Sequence, residues 1–315
     1  MSRYASVAIL ALLVIIGAGY AFVVREDDAT SILRFGKLDA RWQKVARKAI
    51  EDIVRPSELQ QDYAFNEPRA NRAIAFVVFD SRLSAVRSTK VGSCGYYPAS
   101  KYVFCDVRFL DAFLTQRDLD KQVVPFEGNR PINQLFELEP LPPEEYDANR
   151  RFLLQWVIGH EYGHFLAGHE ASQFAPTPLD ARVEAKSVSQ ANEIEADAFL
   201  AKHFNPSSGP EQQFYAFLIG LLNTEIRRKA CPGLSPLQYC NKILFGAGIY
   251  SPSSAIYFKT GGTHPEYMIR LVRLLKEAHQ RYGLGEIGLL NDKIVSSFQE
   301  ETRGEASCIF RIICW

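Results

Sequence analysis

His160-Glu161-Tyr162-Gly163-His164 lies in a stretch that reads as one continuous helix. Residues four apart on a helix share a face, so His160 and His164 can aim two imidazole nitrogens at a single metal ion. Glu161, one position on, can reach a water bound to that metal. Upstream, Phe152, Leu153, Trp156 and Val157 continue onto the two histidines at helical spacing, which turns that face inward. Asp147 is the expected N-terminal cap and Gly168 the expected stop. The competing reading is a core helix with two hydrogen-bonded histidines. Against it, a buried carboxylate beside two buried histidines is costly without a cation.

A metal site of this kind needs a third protein ligand. His169 does not fit the H-E-x-x-H-x-x-G-x-x-H spacing, and on a continued helix it would point away from His164. It reads as a residue just past the helix end. Asn192-Glu193-Ile194-Glu195-Ala196-Asp197 is the better source, in a second helical stretch from about Ser189 to Asn205-Pro206. Glu193 and Asp197 share a face there, and Glu195 points nearly the opposite way. Glu193 can be the third ligand, and Asp197 can accept the outer N–H of a ligating histidine. The alternative is a solvated acidic face; Ala196, Ala198, Phe199 and Leu200 surround these acids with apolar side chains.

H-E-x-G-H followed by E-x-x-A-D on a later helix resembles the gluzincin metallopeptidases of the HtpX and CAAX-prenyl-endopeptidase type. Thr263-His264-Pro265 with Arg270 is similar to that family's T-H-P-x-x-x-x-R segment. The Ile74–Phe79 strand and a hairpin ending Tyr102-Val103-Phe104 resemble the small sheet before its zinc helix. The resemblance covers roughly residues 70 to 275. It implies His160, His164 and Glu193 as ligands of one Zn2+ per chain, Glu161 as catalytic base, and Asp197 behind a ligand. Ser84-Ala85-Val86-Arg87 stands where the family carries N-A-F/Y, and the chain has one spanning segment at most. A single-anchor or secreted member of the superfamily fits better than an intramembrane enzyme.

The chemistry expected of such a constellation is peptide-bond hydrolysis. Three protein ligands leave a fourth position for water, whose pKa falls to about 7 on zinc. Glu161 takes its proton and passes it to the leaving amine. His264 is a candidate oxyanion donor; its other reading is an N-cap before Pro265. The alternative function is a non-catalytic, membrane-anchored zinc-binding scaffold. A structural site normally fills its fourth position with Cys or His, and no cysteine lies near these ligands.

Residues 1–30 read as a membrane anchor or signal segment: Ala5 to Val24 carries no charge and is long enough to span a bilayer. A cleaved secretory signal is the competing reading, with Gly19-Tyr20-Ala21 a poor cleavage site. Flanking Lys and Arg do not settle the orientation. The six cysteines fall as close pairs, Cys94 with Cys105, Cys231 with Cys240, and Cys308 with Cys314. Local pairing behind an export-like segment suggests disulfides in an oxidising, periplasmic compartment. Six unrelated core thiols are the alternative.

Residues 31–298 then form the expected catalytic domain, and residues 299–315 a tail ending in an apolar run with the last cysteine pair. Lysine plus arginine equals aspartate plus glutamate at 36 each, so no nucleic-acid footprint is visible. Residues 31–54 read as one amphipathic helix packed on the domain. Thr115–Glu145, with five prolines, reads as an irregular loop. Residues 210–229 and Pro265–Tyr282 read as amphipathic helices, and Tyr250–Thr263 has a lid's composition. The fold class expected is α+β: a mainly helical zincin-like domain with a small antiparallel sheet, behind one N-terminal transmembrane helix. An edge strand of that sheet should take an extended protein or peptide substrate by strand addition.

Overall fold

The computed structural model describes residues 28–55, 61–85, 92–125, 136–169, 192–204, 209–230 and 267–283. Over these residues the chain is a mixed helix-and-strand protein, mainly helical, with two small sheets. At the centre of the larger sheet is β2 (Ile74–Phe79), with all six residues buried. A strand covered on both faces has no cause to alternate polar and apolar residues, and Ile74-Ala75-Phe76-Val77-Val78-Phe79 does not. It pairs in parallel with β1 (Tyr63–Phe65) and β4 (Tyr102–Asp106), while β3 (Cys94–Tyr97) pairs antiparallel with β4.

The order β1-β2-β4-β3 corrects the expectation of an antiparallel sheet: the main sheet is mixed. Its hairpin is antiparallel as read, turning through residues 98–101 with the Lys101 N–H donating to Tyr97 O at 2.7 Å. β1 and β2 are parallel because residues 66–73 carry the chain back between them, and β2 and β4 are parallel because β3 itself runs back between them. Such returns are a relation between segments, which periodicity within one strand does not encode. Cys94 and Cys105 face each other across the hairpin and form a disulfide, with Cα atoms 4.0 Å apart.

Helices cover both faces of this sheet. α1 (Asp28–Phe35) lays Ile32 on Val77, Phe79 and Phe104. On the other face, α2 (Ala40–Val54) and α4 (Pro143–Leu166) bring Trp42, Ile50, Trp156 and Tyr162 into one core with Phe76, Val78 and Val103. The single helix expected over 31–54 is therefore two. A Cβ on Gly36 would collide with the Ile32 carbonyl, and Asp39 starts α2 afresh by accepting the Trp42 N–H at 2.8 Å.

α3 (Val107–Thr115), which the sequence reading missed, begins directly on β4. Asp106 ends the strand and caps the helix, accepting the Arg108 N–H at 3.1 Å. The expected loop over Thr115–Glu145 contains β5 (Lys121–Pro125) paired antiparallel with β6 (Phe136–Pro140). Pro125 and Pro140 sit at strand ends, where a missing N–H is tolerated. α4 starts at Pro143, with proline at the first helical position, rather than at Asp147. Asp147 instead accepts from Arg41 at 2.7 Å and Arg150 at 3.3 Å.

The remaining elements are α5 (192–203), α6 (Gly209–Ala230) and α7 (Tyr267–Tyr282). Phe214, Phe217, Leu218, Leu221 and Leu222 of α6 are buried, as are Leu271, Leu274 and Leu275 of α7, and the two helices pack together. Among the described residues no helix is long and apolar enough to cross a membrane. Ala5–Val24, Gln173–Ser189, Tyr250–Thr263, His264, Cys231, Cys240, Cys308 and Cys314 lie outside the described residues.

Candidate metal centre

The core holds α4 on nearly every side. Phe152, Leu153, Leu154, Gln155, Trp156, Ile158, Gly159, His160, Tyr162 and Gly163 are all buried, so this is a central helix rather than one with a single inward face. Tyr162 pins it: its ring meets Phe76 of β2 edge-on at 5.6 Å, Phe199 of α5 edge-on at 5.5 Å, and stacks on Phe165 at 5.7 Å. Two glycines then admit α5. A Cβ on Gly159 would lie 2.5 Å from a Leu200 methyl, and one on Gly163 would lie 2.6 Å from the Ala196 carbonyl oxygen. At Gly163 the obstacle is main chain, so glycine is what lets the helices approach so closely there, and that approach carries Glu193 to the histidines.

Donor atoms of three residues converge. His160 Nε2 lies 3.1 Å from His164 Nε2 and 3.2 Å from Glu193 Oε2, and His164 Nε2 lies 3.4 Å from the other Glu193 oxygen, Oε1. A tetrahedron with metal–ligand bonds of about 2.0–2.1 Å has edges of about 3.3 Å. With the two carboxylate oxygens each facing one histidine near that distance, this buried group can hold a metal ion. The carboxylates of Glu161, Glu193 and Asp197 gather around the two histidines, with the Arg270 guanidinium against Asp197 and Glu193.

The outer nitrogens are held as well. His160 Nδ1 lies 2.9 Å from Asp197 Oδ1. Asp197 is in turn gripped by Arg270, whose Nε and Nη2 each donate to it at 2.9 Å. Burial and the Arg270 cation both lower the His160 pKa, but Asp197 and Glu193 outweigh them and raise it to about 9. Burial also opposes the charge on Asp197, yet Arg270 and His160 hold its carboxyl below the usual carboxylate range. On the second ligand, His164 Nδ1 lies 2.8 Å from His169 Nδ1.

Glu161 Oε1 is 4.0 Å from His160 Nε2. His160, Glu161 and Arg270 line a cleft of about 510 Å³ whose other walls include Phe109 and Phe113 of α3 and Trp156 of α4. Ser93 and Cys94 line the same cleft. They lie at the start of β3, which pairs only with β4 and so forms an edge of the described sheet.

The structure thus brings His160, Glu161, His164, Glu193 and Asp197 together. Sequence reading missed Arg270 as the partner of Asp197, although it quoted the residue within a motif. The available signal was an arginine four before Leu274, on the stripe that buries Leu271, Leu274 and Leu275. It also missed the contact between His169 and His164, which depends on how the chain turns at Gly168.

Compared with protein-family models, curated proteins and solved structures, the chain matches none. The reading of the site rests on its own chemistry.

Proposed function

We propose that this protein is a zinc-dependent endopeptidase of gluzincin type, held at or exported across a membrane. The observation that carries the reading is the convergence of two histidine nitrogens and one carboxylate at tetrahedral spacing, with a further carboxylate, Glu161, on the adjoining cleft. Two imidazoles and a carboxylate are borderline donors that suit zinc. His160, His164 and Glu193 would hold it. Bound zinc supplies a Lewis acid that polarises a carbonyl and acidifies a water to a pKa of about 7.

The protein's residues do the rest. Glu161 accepts the proton of the attacking water and returns it to the departing amine nitrogen, so the peptide C–N bond breaks as a C–O bond forms. Asp197 orients the His160 ring, and Arg270 orients Asp197 by its two-pronged grip. An extended substrate backbone can add along β3, an edge strand among the described residues, beside the cleft that Ser93 and Cys94 line. The Cys94–Cys105 disulfide supports an oxidising compartment, and Ala5–Val24 is the candidate anchor.

The test is metal content and hydrolysis of a casein-type substrate by wild type and Glu161→Gln. One zinc per chain with hydrolysis abolished in the folded, zinc-loaded variant supports the enzyme. Equal rates in both would leave the structural-metal scaffold as the reading.

A further inference from the structure

We infer that His169 is a positioning residue for His164, steadied by Glu195, and that this relay sets how tightly the centre holds its metal. The inference rests on the zinc reading above and deepens it. At its base is the way α4 stops. Gly168 adopts φ +70, a left-handed conformation open to glycine at little cost. The Gly168 N–H then donates to Phe165 O at 3.2 Å, and the His169 N–H to His164 O at 3.0 Å. These two bonds make a Schellman motif, which folds the residue after the glycine back over the last turn. His169 therefore lies against His164 instead of continuing away from it.

The ring atoms then fall in a matched series. His164 Nδ1 is 2.8 Å from His169 Nδ1, and His169 Nε2 is 3.3 Å from Glu195 Oε2. A histidine that ligates through Nε2 as neutral imidazole keeps its proton on Nδ1. That N–H donates to His169 Nδ1, which requires the His169 proton on Nε2, where it donates to the Glu195 carboxylate. Every donor meets an acceptor, and one tautomer of His164 is selected. On the other side of the centre the Asp197 carboxylate sits 2.9 Å from His160 Nδ1. Both imidazole ligands are thus aimed from behind, one by a carboxylate directly and one through a second imidazole. Glu195, the acid of the motif that turns away from the metal, has its use here. Its side chain is 60% exposed, so its own share is the smaller one.

Two substitutions of similar shape separate this role from a purely structural one. Asparagine carries its Oδ1 where histidine carries Nδ1 and can accept the His164 N–H; leucine cannot. Leucine, however, suits the position after a Schellman glycine, where an apolar contact back to the helix is common. Zinc affinity of the full chain is measured by competition with a chromophoric chelator, and thermal unfolding of the metal-free forms reports the helix stop by itself. The expected result is zinc binding weakened about 10–100-fold in His169→Leu, affinity within a few-fold of wild type in His169→Asn, and little change in metal-free melting for His169→Leu. Wild-type affinity in His169→Leu, or equal losses in both variants, overturns the relay while leaving the metal centre standing. A wild-type chain that binds no zinc overturns the metal reading, and the relay with it.

Discussion

Gly163 of α4 and Ala196 of α5 meet backbone to backbone, so that a Cβ on Gly163 would fall 2.6 Å from the Ala196 carbonyl oxygen. The obstacle is main chain and cannot swing aside. α5 would have to move, and Glu193 rides on α5 one turn away. In isolation, alanine is favoured over glycine in a helix by about 1 kcal/mol. Overpacking a rigid contact costs about 1–3 kcal/mol, so the clash wins. Gly163→Ala is expected to lower stability and to weaken zinc binding together. Chemical denaturation and chelator competition on the same preparation check it, and a variant more stable than wild type with unchanged affinity would contradict the contact.

The pair Arg270–Asp197 ties α7 to α5 beneath the centre. Both groups are largely out of water, so removing one strands the other. Breaking a buried ion pair costs about 3–5 kcal/mol; Arg270→Met should approach the lower end because the guanidinium side retains 17% exposure. Lysine is not expected to rescue, since it lacks the planar fork that makes the two parallel contacts. Denaturant midpoints of Arg270→Met and Arg270→Lys measure this, and a lysine variant as stable as wild type would contradict it.

In the proposed reaction Glu161 takes the proton of the attacking water and is not a metal ligand. Glu161→Gln should retain one zinc and the wild-type fold while losing about 10²–10⁴-fold in peptide hydrolysis, the usual contribution of a general base. Loss of zinc in this variant would instead make Glu161 a ligand. Metal analysis beside a fluorogenic peptide assay distinguishes the two.

Zinc is expected to stabilise the fold, because Glu193 and the histidines come from different helices that a bound ion would clamp together. Binding only the native state at a hundredfold excess over Kd adds about 2.7 kcal/mol. Melting temperature is expected to rise with added zinc and fall with a chelator. His160→Ala and Glu193→Ala should be insensitive to both.

The Cys94–Cys105 bond closes a loop of sequence separation 11. Chain-entropy reasoning gives about 3 kcal/mol for a loop of that size. The double variant Cys94→Ser/Cys105→Ser should lose about that much in denaturant unfolding. Because Cys94 also lines the cleft, hydrolysis should be affected as the hairpin edge loosens. A double variant as stable as wild type under oxidising conditions would show the bond is not formed.

The local and periodic features of this chain were legible in its sequence. Four-residue spacing aligned His160 with His164 and Glu193 with Asp197, because a helix repeats its face at that interval. A sequence separation of 11 across a turn was enough to pair Cys94 with Cys105. Helices at 210–229 and up to Tyr282 follow from apolar stripes alone. Tertiary structure decided what depends on two segments meeting. Parallel pairing of β2 with β4 is such a relation, since a strand's pattern records burial and not its neighbour's direction. So is the Arg270–Asp197 grip, made between residues far apart in sequence, and the backbone contact that requires glycine at 163. His169 shows the boundary most sharply. The sequence identified Gly168 as the stop, but whether the chain beyond it departs or folds back is set by one left-handed residue and two backbone hydrogen bonds, and those bring His169 against His164.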